Sequence, residues 1–245
     1  MEIVLSIAGS DPSAGAGIQQ DLKTITALGS YGTTVITAVT SQNTMGVQHI
    51  MPVPPEVVSS QIESVLTDLS VSAVKIGMVP NKEVAERIVQ GLKRFNCRNV
   101  VYDPVMMSTS GTKLMSDDCL AYVVNQLLPL CTLVTPNLPE AEVMRTYSIP
   151  KDGVAFLVKG GHAAGNEMTD ILYLPDGTQK KYTSQKIQTS NLHGTGCTLS
   201  SAIATFLANG ETLPETVRLA KDYIDRAILA GRHLGVGHGN GPLWF

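Results

Sequence analysis

Residues 194–197 read Gly-Thr-Gly-Cys and run straight into an apolar helical stretch, in full NLHGTGCTLSSAI. Glycines at 194 and 196 free the backbone, so that several N–H groups can aim at one point. A helix beginning there adds the positive end of its dipole. Gly194, Thr195 and Gly196 are therefore a candidate anion hole for a phosphoryl group in transfer, with the Cys197 thiol at its lip. Taken alone, the stretch is equally well read as a plain glycine turn before a helix. Three other segments tip the balance. VTPNLPEAEVM sets Asn137 and Glu140 three residues apart, nearly one helical turn, so that both can face one cation. VYDPVM puts Asp103 at a strand end, where a half-buried carboxylate calls for a cation or a donor. LVKGGH puts Lys159 at the end of another apolar strand, which favours a phosphate contact over a surface lysine. An anion hole, a lysine and two or three oxygen ligands are the parts phosphoryl transfer needs. Lys159, Asp103 and Asn137 would hold ATP, and Glu140 with Asp103 would hold Mg2+.

Other chemistries find less support. The net charge is −3 and the pI about 5.9, with no basic cluster, so no nucleic-acid partner is expected. GSDPSAGAG lacks the lysine of a P-loop, and GAGIQQ does not satisfy the dinucleotide pattern. The five histidines show no metal spacing, and His193 reads as a structural hydrogen-bonder. No apolar run is long enough to span a bilayer, and the first residues lack a basic leader region, so a cytoplasmic protein without membrane contact is expected. Cys97, Cys119 and Cys131 read as reduced core thiols without a disulfide framework. Cys197, in its glycine context, is the exception.

These residues need a scaffold. Strand-like runs alternate with helical ones: EIVLSIA, then residues 16–29, YGTTVITAVTSQN, residues 54–69, AVKIGMV, residues 81–95, NVVYDPVM and residues 116–131. LVTPN, a helix start at PEAEVM, and VAFLVKGG follow. DILYLPDGTQKKYTSQKI reads as a hairpin turning at Asp176-Gly177. Two helices, from 197 and from 212, close the chain. Repeated β-α units predict a single α/β domain over 1–245, a mostly parallel central sheet with helices on both faces. Ligands of such sheets bind beyond the carboxyl ends of the strands. Gly9–Gly17, Gln42, Met78, Asp103, Asn137 and Lys159 should therefore converge on one rim.

AGSDPSAGAGIQQDLKT, QNTMGV, KIGM, DPVM, TPNLPEAEVM, KGGH and HGTGCTLSSAI occur in that order along nearly the whole chain. Together they closely resemble the hydroxymethylpyrimidine / phosphomethylpyrimidine kinases of thiamine biosynthesis, in the ribokinase-like superfamily. The resemblance implies a three-layer α/β/α sandwich, usually dimeric, that uses ATP and Mg2+ to phosphorylate an aminopyrimidine alcohol and then its monophosphate. It places the pyrimidine near Gly9, Asp21, Thr40, Gln42 and Met78. Gln42 fits on chemistry, since its amide offers one donor and one acceptor to a ring nitrogen and an exocyclic amine. Met78 offers a soft apolar face, although core packing explains it nearly as well. The nearest alternative is pyridoxal kinase, with a similar site; a non-catalytic pyrimidine sensor is a more distant one.

Many ribokinase-like sugar kinases carry an Asp base at the position of Cys197. A thiol near a helix N-terminus is expected to have a lowered pKa, so a thiolate base is conceivable. In the second step the nucleophile is already an anion, and a neutral thiol spares it the repulsion of a carboxylate. Two segments depart from the family. The loop after DPVM reads MMSTSGTKL, with Ser108, Thr109 and Ser110 where a lysine is common and Lys113 later. The connection EVMRTYSIPKDGVAFLVKGG is short for a crossover that normally carries a further helix. Either it is a true deletion or residues of it are missing from the sequence; a sheet face left bare by the loss favours the second.

Overall fold

A computed structural model describes residues 1–108, 111–146, 153–160 and 167–245. The strands are β1 (Ile3–Ser10), β2 (Tyr31–Asn43), β3 (Gly46–Pro52), β4 (Ala73–Ile76), β5 (Val100–Tyr102), β6 (Leu133–Val134), β7 (Ala155–Val158), β8 (Glu167–Tyr173) and β9 (Gln179–Gln185). They form one sheet in the order β3-β2-β1-β4-β5-β6-β7-β8-β9. From β2 to β7 all neighbours are parallel; β3 at one edge, and β8 and β9 at the other, are antiparallel. The helices are α1 (Gly17–Ala27), α2 (Pro55–Asp68), α3 (Lys82–Arg94), α4 (Asp117–Tyr122), α5 (Leu138–Arg145), α6 (Thr195–Ala208) and α7 (Leu213–Gly231). The helical run expected at 116–131 divides after α4 into a π-helical turn (Val123–Leu127) and a short 3-10 turn (Leu128–Leu130).

Two apolar cores flank the sheet. On one face Val74, Ile76 and Val134 pack under residues of α2, α3 and α4. On the other Val4, Val101 and Leu133 pack under α1, α6 and α7. Alternate residues of one strand thus serve both cores, as a parallel sheet covered on two faces requires. The layers are those expected, α/β/α.

One element was not foreseen, β3: its side chains are mostly exposed, so an edge strand without a buried face left no alternating pattern. Near the short connection Val134 of β6 and Met144 of α5 are buried in one core, and Phe156 packs against that core. Residues 147–152 of that connection lie outside the described residues.

Candidate active site

The carboxyl ends of the strands open into a cavity of about 710 Å³. Because β1 and β2 lie on one side of the sheet and β7 to β9 on the other, the cavity has two ends, with β4, β5 and β6 between. Gly9, Thr40, Gln42 and Met78 line the first end; Asp103, Asn137, Glu140 and Lys159 line the middle with Gly194, Thr195, Gly196 and Cys197. The second end is lined by Met168, Ile187, Leu199, Ile224 and Ile228, with Asp170 paired to Lys221 at 2.6 Å. Sequence reasoning passed over this end. Its residues come from a hairpin and from two helices read only for their core faces.

Gly194 caps α6 in the left-handed region, at φ 85°. A Cβ there would strike the Gly15 carbonyl oxygen, so only glycine fits. The same loop packs on the turn from the other direction. Gly17 begins α1 at φ 60°, and a Cβ on it would strike the Gly9 carbonyl oxygen. Two helix N-termini therefore meet, α1 and α6. The Cys197 sulfur sits between them, receiving a hydrogen bond from the Gly17 N–H and lying near the Lys75 ammonium. All of these favour a thiolate. Burial outweighs them, and with the Asp21 and Asp103 carboxylates near, the thiol is pushed up to about 11. The expected lowering is thus reversed: at neutral pH the thiol keeps its proton.

Asp103 has the partners its position called for. Lys159 Nζ donates to it at 2.8 Å and Thr135 Oγ1 at 3.1 Å. Burial works against its charge, but Lys159 and Lys75 together hold the carboxyl below its usual range. Gly196 lies directly against this pair: a Cβ there would come 3.1 Å from Asp103 Oδ2 and 3.7 Å from Lys159 Nζ. Gly196 has an ordinary helical backbone, and alanine is the better helix former. Gly196→Ala is therefore expected to fold normally, with an unchanged thermal midpoint. Its methyl group occupies the space before the amides, so turnover should fall by roughly 100-fold or more. Steady-state kinetics beside a thermal melt check both halves.

Asn137 and Glu140 meet in a different way from that foreseen. They form a capping box at the start of α5, the Asn137 side chain accepting from Glu140 N at 2.8 Å and Glu140 Oε2 from Asn137 N at 2.9 Å. One carboxylate oxygen of Glu140 is spent on the cap, and so is the Asn137 oxygen. Burial first, and then Asp103, push Glu140 up to about 7, while Lys159 works the other way. Among the described residues no group of three or more acidic, cysteine or histidine side chains forms a metal cage. The pair Asp103 and Glu140 still fits Mg2+, which binds through one or two carboxylates and completes its shell with waters and phosphates. Two buried carboxylates lining one cavity are a place where a cation relieves repulsion.

Asp21 does not reach the cavity, contrary to expectation. It is fully buried, and its carboxylate is taken up by Lys75 (2.8 Å to each oxygen), Ser6 (2.5 Å) and Ser201 (2.8 Å). Lys75, which sequence reasoning missed inside an apolar strand, is the one that lines the floor. The only signal for it was a charge in a run otherwise buried. Met78 is both things proposed: it is nearly buried, with its sulfur against Gly9, and it lines the cavity. Lys113 pairs with Asp117 at 2.8 Å, while Ser108 lines the cavity. Thr109, Ser110, Gly161 and His162 lie outside the described residues.

The phosphomethylpyrimidine kinase family matches residues 11–244. A hydroxymethylpyrimidine/phosphomethylpyrimidine kinase of Rhizobium meliloti (strain 1021) is 49% identical, over 98% of this chain and 96% of its own. Among solved structures, phosphomethylpyrimidine kinase from Clostridium difficile 630 is 40% identical, with a TM-score of 0.80 over 93% of this chain and 100% of its own. An ADP complex of Bacillus subtilis pyridoxal kinase is 30% identical, with a TM-score of 0.89 over 100% and 97%.

Proposed function

The chain belongs to the phosphomethylpyrimidine kinase family, and from that premise we propose how its residues divide the work of transferring a phosphoryl group from ATP. The fold is the ribokinase-like sandwich, and one sheet running through the chain supports a single domain. The substrates are 4-amino-5-hydroxymethyl-2-methylpyrimidine and then its monophosphate, the product being the diphosphate of thiamine biosynthesis. The observation that carries this reading is the contact of Gly196 with the Asp103–Lys159 pair at the mouth of α6, in a cavity that Gln42 also lines. A phosphoryl group held by the first turn of α6 faces the pyrimidine end on one side and the apolar end near Ile187, Ile224 and Ile228 on the other. That second end suits a nucleobase, and the Bacillus subtilis relative, solved as an ADP complex, supports a nucleotide as the phosphoryl donor.

In the transfer, the alcohol oxygen bonds to the terminal phosphorus of ATP as the bond to the bridging oxygen breaks, and ADP leaves. The amides of Gly196 and Cys197 take the charge on the migrating group, since first-turn N–H groups have no partner within their helix, while the Thr195 N–H is turned back to the Leu192 carbonyl at 3.3 Å. Lys159 neutralises the phosphate chain beside them. Asp103 and Glu140 would hold Mg2+, which supplies charge neutralisation at the phosphates when bound. Cys197, protonated at neutral pH, serves as a close neutral neighbour of the nucleophile. In a loose transition state the alcohol proton leaves late and passes to an oxygen of the transferred phosphoryl group, so a strong base is not needed at the start. In the second step the phosphate monoester attacks in the same place.

Among the described residues no helix is long and apolar enough to cross a membrane. A homodimer is the assembly we propose. Val39 of β2 and its register partner Met51 of β3 are both exposed, an apolar edge that a second copy would cover.

The test is direct. Protein, ATP and magnesium are incubated with the pyrimidine alcohol, its monophosphate or pyridoxal, and products are identified by mass. Mono- and diphosphate from the pyrimidine are expected. Phosphorylation of pyridoxal alone would replace this reading by the alternative one.

A further inference from the structure

Gln42 offers the pyrimidine a donor and an acceptor, and the order in which it offers them is fixed by its neighbours. Its amide nitrogen position lies 3.2 Å from His193 Nε2, and its oxygen position 3.3 Å from Thr40 Oγ1. His193 Nε2 is also 2.9 Å from Asp11 Oδ2. Asp11 is nearly buried and acts as an acceptor throughout, taking bonds from Ser13 N, Ser13 Oγ and Ala16 N. Burial opposes its charge, but hydrogen bonds from His193 and Ser13 hold the carboxyl below its usual range. An ionised Asp11 requires the proton on His193 Nε2. An N–H there has no lone pair in the ring plane for a Gln42 NH2 group, so that contact sets two donors face to face.

Thr40 meets the same difficulty. Its hydroxyl has one proton, which the Ser10 carbonyl accepts at 3.0 Å. None is left for the Gln42 oxygen. Turning the amide end for end removes both conflicts at once. Its oxygen then accepts from His193 Nε2, shared with Asp11, and its NH2 donates to the Thr40 oxygen.

We infer that Asp11 and His193, with Thr40, are positioning residues that lock Gln42 with its oxygen toward the glycine turn and its nitrogen toward Thr40. This rests on the reading of Gln42 as the pyrimidine contact. The consequence is a polarity. The substrate must place its donor on the side of His193, next in the chain to Gly194, and its acceptor on the side of Thr40. In the proposed substrate the exocyclic amine stands between the ring nitrogen and the carbon bearing the hydroxymethyl group. With the amine on the His193 side, the reacting alcohol is carried toward the anion hole. A ring with an oxo group and a ring N–H in place of amine and ring nitrogen presents the reverse order and meets acceptor with acceptor.

The lock is built into the chain. The His193 ring lies against Gly15, where any Cβ would overlap it, and the backbone N–H of His193 donates to Gly241 O at 3.1 Å. It cannot swing away without moving the loop that carries Asp11.

The experiment compares kcat/KM for the amino substrate and its 4-oxo analogue. The wild type should prefer the amine by roughly 10- to 100-fold, the discrimination of one correctly ordered pair of hydrogen bonds. Asp11→Asn and Thr40→Val should each bring the ratio toward unity, chiefly by lowering kcat/KM for the amine. Nitrogen-15 spectra of the His193 ring in the unliganded wild type should show the proton on Nε2. Thr40→Val leaves the loop of residues 11–17 untouched, so it reads the lock even where Asp11→Asn folds poorly. A bare Nε2, or variants that slow both substrates equally, overturns the inference. Failure of the underlying reading shows differently: Gln42→Ala would leave KM for the amine unchanged, and the inference would fall with it.

Discussion

Cys197→Asp is expected to lower phosphorylation of the monophosphate by about a thousandfold and to leave that of the alcohol within roughly tenfold of the wild type. The wild-type thiol is pushed up to about 11, mainly by burial, and carries no charge at neutral pH. A carboxylate begins from about 3.9, so a comparable upward displacement still leaves it ionised near pH 7. The substitution therefore adds a full negative charge at the nucleophile's side of the anion hole. Lys75 is near but offsets only part of it, because its ammonium already pairs with both oxygens of Asp21. For a neutral alcohol the added charge is tolerable, and it supplies a base. For a phosphate monoester it is a direct repulsion, about 4 kcal/mol for each unit charge at 4 Å and an effective dielectric of 20. At 1.36 kcal/mol for each factor of ten, that is close to three orders of magnitude. The separate rates are read with alcohol alone and with purified monophosphate. Equal loss in both steps would show that the carboxylate acts through packing and that the neutrality of the thiol does not explain the cysteine.

The thiol also shows where reading the sequence stops. That GTGC opens a helix at the rim of a parallel sheet was legible from glycine spacing and β-α alternation, and Asp103 was expected to need a cation or donor before Lys159 and Thr135 were seen on it. The thiol's proton affinity was not legible. It is set first by burial, then by Lys75 and Asp21 beneath and by α1 arriving from residue 17, all supplied by segments far apart in the chain. The same holds for His193 and Asp11, 182 positions apart and joined at 2.9 Å. Asn137 and Glu140 failed in another way. Spacing correctly put them together, but an Asn followed three residues later by a Glu is also the pattern of a capping box, and the helix start claimed their oxygens. The second, apolar end of the cavity was silent because its Ile224 and Ile228 keep ordinary helical periodicity, and periodicity does not distinguish a core from a cavity wall.

Lys75→Met is expected to be the most destabilising single substitution near the site, and the reason lies under the cavity floor. Lys75 and Asp21 are both fully buried, 2.8 Å apart. Burial works against the ammonium, yet Asp21 and the other anions nearby keep Lys75 raised and charged. Methionine matches the length of the lysine stem but abandons the Asp21 carboxylate in the interior, with only Ser6 and Ser201 donating to it. Breaking a buried pair from one side costs about 3–5 kcal/mol. For a chain of this size that is roughly a 10 °C fall in thermal midpoint. The penalty has a pH signature. An abandoned buried carboxylate has its folded-state pKa raised above the unfolded value, so the folded form binds the extra proton. The variant is therefore relatively more stable in acid and loses that relief as the pH rises from about 4 through the raised folded value. Lys75→Met combined with Asp21→Asn removes the stranded charge and should recover part of the loss, since an uncharged pair of similar volume is often neutral in a core. Denaturant titrations of the two single variants and the double variant at two pH values read all of this. A double variant no more stable than Lys75→Met alone would mean that the stem of Lys75, and not its charge, holds the floor in place beneath the thiol.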